Sequence, residues 1–180
     1  MLNNPIEAWH DAFCSIRSRS GDGNSGITWD VMQGELAKVK HAVLALPKSQ
    51  LDIGMVMFAP DDAQGKYLER TSQFVYRSLL TLHPDWGNSL KQVRRISLLV
   101  DVIILKSRRE INDTQFVISN SEIARSIGIS ASAYSRDYQN SVNSVIERLK
   151  QTATDALLNI ETVCGYIRKQ YRMSVKSLEC

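Results

Sequence analysis

The chain has 180 residues, of which 43% are hydrophobic and 23% charged. Those proportions belong to a folded globular protein and exclude a disordered or low-complexity one. A formal charge of +3 permits a nucleic-acid partner without demanding one, so the placement of the charges must decide.

Ile6, Trp9, Phe13 and Ile16 recur at helical spacing after Pro5, which predicts a first short helix. Ser18 to Gly26 holds three glycines and lacks the G-K-[ST] ending of a phosphate-binding loop. It is expected to be a flexible linker or an exposed loop, from which the first helix could move independently or swap onto a neighbour. Thr28 then suits the cap of a second helix carrying Trp29, Met32, Leu36, Val39, Val43 and Leu46 up to Pro47. Leu51 to Ala59 reads as a further short helix ended by Pro60. Asp61 and Asp62 suit the positive end of the next helix, whose predicted buried stripe is Leu68, Phe74, Val75, Leu79 and Leu82.

His83 to Gly87 is a break, and Asn88 or Ser89 restarts a helix to about Arg109. Its middle is apolar nearly all round, which predicts the central core helix. The longest apolar run, Leu98 to Leu105, is interrupted by Asp101 and is too short to span a bilayer. The first residues have neither the basic start nor the apolar run of a signal peptide. Cys14, Cys164 and Cys180 are too far apart for a disulfide framework or a C-x-x-C knuckle. A cytoplasmic protein with no membrane partner is expected.

After a turn at Ile111 to Asp113 and an extended stretch from Gln115 to Ile118, residues Ser119 to Leu149 have the grammar of a helix-turn-helix. Ser119 and Glu122 have capping-box spacing. Ile123 and Ile127 fall on one face of a short helix, and Ala124 is small where a second helix must cross. Gly128 stands where the chain leaves that helix, Ile129 would plug the core, and Ser130 can cap the next. That second helix is predicted to begin at Ala131 with Tyr134 and Tyr138 inward. Its exposed Ser132, Ser135, Arg136 and Gln139, with Ser130 and Arg125 beside them, are residue types that bond phosphates and base edges in a major groove. The same pattern also suits an ordinary αα-hairpin in which Gly128 only ends a helix.

Beyond Tyr138, Val142, Val145, Leu149, Thr152, Ala156, Ile160, Val163 and Ile167 follow at steps of three and four. They predict a long helix packed within the chain rather than in a coiled coil. The predicted fold class is all-α, in three regions. Residues 1–26 are the first helix and linker, 27–111 a helical lobe, and 112–180 the helix-turn-helix with its long helix.

Lys91, Arg94, Arg95, Lys106, Arg108 and Arg109 crowd the two ends of one predicted helix. Arg94, Arg95, Arg108 and Arg109 are candidates for contact with phosphates or a large protein partner. Alternatively Arg108 and Arg109 favour the negative end of the helix and the others are solvated. Arg168, Lys169, Arg172 and Lys176 form a basic tail. His10, His41 and His83 lie in three segments and are read as assembling no zinc site. With neither a nucleophile elbow nor a Walker pattern, no catalytic residue, metal or cofactor is expected.

At Ala133-Tyr134-Ser135-Arg136, and in the helix running on to Val145, Leu149 and Ala156, the chain resembles the phage Q-type transcription antitermination proteins, which have bacterial chromosomal relatives. Agreement in Thr28 to Leu46 extends the resemblance to about half the chain. It departs from the lambda representative in having no cysteine-rich zinc motif. The resemblance implies binding to a promoter-proximal element of double-stranded DNA, then loading onto a paused RNA polymerase holoenzyme with sigma factor. Such a protein suppresses termination at the RNA exit channel. Ser132, Ser135, Arg136 and Gln139 would then face DNA, with Arg125 on its phosphates. The alternative is a helix-turn-helix repressor or activator that acts at initiation and does not travel with polymerase.

Overall fold

In the computed structural model, the described residues are 4–14, 26–112 and 118–176, without the side chains of 26–30, 171, 172 and 174–176. Among them the chain forms eight α-helices, one 3-10 turn and no strand, as the all-α expectation requires. The helices are α1 (Pro5–Phe13), α2 (Gly26–Leu44), α3 (Lys48–Phe58), α4 (Asp61–Leu82), α5 (Leu90–Asn112), α6 (Asn120–Ser126), α7 (Ala131–Asp137) and α8 (Gln139–Lys176), with the 3-10 turn at Pro84–Gly87. No helix of the described residues is long and apolar enough to cross a membrane.

The centre of the molecule is α3, not α5. Every residue from Asp52 to Ala59 is buried, and α3 packs against α1, α4, α5 and α8. On α5 the apolar face is one-sided instead: Ile96, Leu99 and Ile103 point inward while Leu98, Asp101 and Leu105 are exposed. The short run from Leu51 to Ala59 hid this role, because helical periodicity reports a face and a helix buried all round has none.

Two close approaches fix α3. Trp9 of α1 is fully buried, with its ring centroid 5.3 Å from that of Phe58. The indole lies so near Gly54 that a Cβ there would sit 2.7 Å from its Cζ2. So α1, which could have moved independently, is docked on the core. Residues 18–25 of the proposed linker, and Ile16, lie outside the described residues.

The carbonyls at the end of α3 take side-chain partners, one from α4 and two from α5. Asn112 Nδ2 donates to the Met57 carbonyl at 2.8 Å, while Arg108 Nη2 and Gln64 Nε2 donate to that of Ala59 at 3.2 and 3.1 Å. Arg108 also pairs with Asp61, at the start of α4, at 2.6 Å. The basic C-terminal end of α5 thus serves the core at Arg108.

Several stripes differ in detail. On α4 the inward residues are Thr71, Val75 and Leu79, and the expected Leu68 and Leu82 are exposed. Thr71 is satisfied in its buried place by donating to the Asp52 carbonyl at 3.2 Å. Helix α2 begins at Gly26, so Thr28 lies in its first turn rather than before it, and Met32 is exposed. Helix α5 runs through Ile111 and Asn112, where a turn was expected; residues 113–117 are outside the described set.

Helix α8, 38 residues or roughly 57 Å long, packs on α1 to α5 and on α7. Its seam is intramolecular, as predicted. Ala153 and Cys164 occupy the fully buried positions that Thr152 and Val163 were expected to fill, and those two are half-buried.

Candidate nucleic-acid interface

The α6–α7 hairpin is built from local bonds. Ser119 N donates to Glu122 Oε2 at 2.7 Å and Glu122 N donates to Ser119 Oγ at 3.3 Å, closing the capping box. These bonds from Ser119 hold the Glu122 carboxyl below its ordinary pKa. At the other end Gly128 has φ +69°, Ile129 N donates to the Ala124 carbonyl, and Gly128 N donates to that of Arg125. This is a Schellman turn, which satisfies the last carbonyls of α6 and needs a left-handed residue at Gly128. Ser130 Oγ then accepts from Ala133 N at 3.2 Å and opens α7.

An aromatic ladder joins the hairpin to the body. His83 stacks on Trp86 at 4.1 Å, Trp86 meets Tyr138 at 4.6 Å, and Tyr138 lies parallel to Tyr134 at 6.4 Å. The ladder is pinned by the Tyr138 hydroxyl, which donates to Gln92 Oε1 at 2.9 Å, and by a short hydrogen bond between His83 Nε2 and Ser141 Oγ. Tyr134 and Tyr138 both face inward, as expected. Burial pushes the Tyr134 hydroxyl up to about 12, and it has no hydrogen-bond partner among the described residues.

Arg125, Ser130, Ser132, Ser135 and Arg136 are exposed. Gln139 is not on their helix. The backbone breaks at Tyr138 (φ −126°, ψ −35°), so Gln139 is the half-buried first residue of α8. The Arg136 guanidinium is held by its neighbour Asp137, through Nε at 2.7 Å and Nη2 at 2.9 Å. Each partner favours the charged form of the other, so the arginine pKa is raised and the carboxyl lowered. On the two hairpin helices two cations, Arg125 and Arg136, therefore meet two anions, Glu122 and Asp137.

The four arginines proposed as partner contacts divide. Lys91, Arg94 and Arg95 border a cleft of about 410 Å³ with Leu90, Leu98, Ile127 and Gly128, so the start of α5 lies against the α6–α7 turn. Arg108 stands 14 residues further along α5, about 21 Å away from Arg94, in its capping role. Arg109 is exposed beside it.

Sequence reading missed two clusters. The view of the histidines as isolated is corrected at His10, which lies four residues from Cys14. His10 Nδ1 is 3.3 Å from Cys14 Sγ and 3.6 Å from Asp11 Oδ1, an exposed trio of donor types that bind metals. Burial, then Asp11 and Asp62, raises the Cys14 thiol pKa. The second cluster is a basic cleft between α3, α4 and α8, whose cations are dispersed from residue 48 to residue 148. Comparison of the chain with known protein families, with curated proteins and with solved structures finds no match.

Proposed function

We propose that the protein is a DNA-loaded regulator of transcription that reads a promoter-proximal element through α7 and acts on RNA polymerase as an antiterminator. The observation that carries the DNA-reading part is the hairpin itself. Two seven-residue helices joined by a four-residue turn at a left-handed glycine bury one face and leave Arg125, Ser132, Ser135 and Arg136 on the other. The start of α5 adds Lys91, Arg94 and Arg95 next to the turn, where a phosphate backbone flanking the groove would pass. Arg136 must exchange Asp137 for its nucleic-acid contact, which favours a specific site over indiscriminate binding. The antitermination part rests on the resemblance at Ala133 to Arg136 and on the size of the helical body behind the hairpin.

A single-round transcription assay across a terminator, with and without the protein, tests the whole reading, and read-through is the expected result. Arg136→Ala should weaken binding to the specific element by about 1–3 kcal/mol at fixed salt with the fold intact. An unchanged Kd would remove Arg136 from readout. Tight specific binding that shuts off initiation and never changes termination would replace the antiterminator with a repressor.

A further inference from the structure

A second concentration of positive charge, besides the start of α5, lies away from the hairpin. Lys48 at the start of α3, Arg70 and Arg77 on α4, and Arg148 on α8 line one cleft of about 470 Å³. Asp52 is the carboxylate among its lining residues, and it is paired with Arg70 at 3.3 Å. Four cations against one anion leave +3 in the cleft, as much as the formal charge of the entire chain. The charges of the rest of the chain sum to zero, and a cleft in which cations outnumber anions in this way attracts an anion.

We propose that this cleft seats the phosphodiester backbone of a single-stranded nucleic acid, a contact separate from the hairpin and independent of what the hairpin reads. Arg70 and Arg77 stand two turns apart on one face of α4, while Ser144 and Arg148 stand one turn apart on α8. Cations therefore reach the cleft from both walls. Ser78 and Ser144 add hydroxyls, which bond phosphate oxygens as well as bases. The half-buried Phe74 has the Arg148 guanidinium 5.1 Å from its ring centroid, so an aromatic ring and a guanidinium, two groups on which an unpaired base can stack, stand side by side. A cleft of about 470 Å³ is too small to take in a double helix, which leaves an extended single strand as the form that would lie in it. Among the described residues neither Lys48 nor Arg77 has a carboxylate partner, so both are available to a ligand.

The test uses the full chain and fluorescence anisotropy with three labelled probes: a polyuridine RNA, a polythymidine DNA and a random DNA duplex. Lys48→Ala combined with Arg77→Ala should weaken single-strand binding by about tenfold at low salt and flatten the salt slope by roughly 1.4, two contacts' worth. Repeated in an Arg136→Ala background, the double substitution should cause the same loss of affinity and slope, which separates this site from the hairpin. Equal losses for RNA and DNA mean recognition of the shared phosphodiester. A loss for one alone assigns the strand. Arg148→Lys keeps the charge and should retain most binding, while circular dichroism checks the helices of every variant. Unchanged affinity and slope in the double variant would overturn the proposal. So would displacement of RNA by polyglutamate of matched charge at the same concentration, because the cleft would then be a seat for an acidic protein.

Discussion

The α6–α7 hairpin and the α3 core are both short helical structures, yet they are made in opposite ways. Along the hairpin backbone the closing bonds run between Ser119 and Glu122, Ala124 and Ile129, and Ser130 and Ala133, never more than five residues apart. At α3 the partners come from far along the chain. Trp9 packs at Gly54, Arg108 donates to Ala59, and Asn112 donates to Met57. Local bonds can form and break without the rest of the molecule. Long-range ones stand or fall with the cooperative fold.

The largest effect should therefore come where α1 meets α3. Trp9→Ala removes a fully buried aromatic and is expected to cost about 3–5 kcal/mol. Gly54→Ala forces a methyl into the indole and should cost about 1–3 kcal/mol. Together they should cost less than the sum, since the methyl enters space the indole has left. Urea unfolding followed by circular dichroism measures all three. Strict additivity would mean that α1 is not seated on Gly54, and the contrast with the hairpin would lose its strongest case.

The ladder that ties the hairpin to the body comes next. Tyr134→Ala should destabilise by about 3–5 kcal/mol, as a buried ring is lost against Tyr138. Tyr134→Phe keeps the ring and deletes a hydroxyl that has no partner among the described residues, so it should be neutral or slightly stabilising. Thermal unfolding separates the two. If Tyr134→Phe costs as much as Tyr134→Ala, the hydroxyl has a partner that matters.

This division also explains what the sequence made legible. The capping box, the left-handed Gly128, the inward tyrosines and the break at His83 are each announced by a few neighbouring residues. So is the His10–Cys14 spacing, which was there to be read on one helix. Nothing local says that α3 is central, because its burial is conferred by α1, α4, α5 and α8, from both ends of the chain. The same holds for the basic cleft: Lys48, Arg70, Arg77 and Arg148 each read as an ordinary solvated cation until α3, α4 and α8 bring them together. Arg108 has two readings, partner surface or helix-end cation. Its bonds to Asp61 and Ala59 show the structural role at the α3–α4 junction, which no neighbouring residue announces.

The smallest effect is the sharpest test of locality. Glu122 accepts from the Ser119 backbone and hydroxyl, and those bonds lower its pKa. A carboxyl whose folded pKa is depressed adds stability above its unfolded value and loses it as pH falls through the folded one. Acidification through and below the ordinary carboxylate range should therefore loosen the start of α6. The carboxyl is fully exposed, so the loss should be confined to the first turn. Amide exchange followed by NMR should show Ser119 and Glu122 losing protection before α3 or α8 does. Glu122→Gln, which can still accept from Ser119 N, should keep a weaker box and abolish its pH dependence. Two outcomes would count against this: the same acid response in Glu122→Gln, or simultaneous loss of protection in α3. The first would mean that another group titrates at the cap, and the second that the hairpin is not the independent local unit its bonds describe.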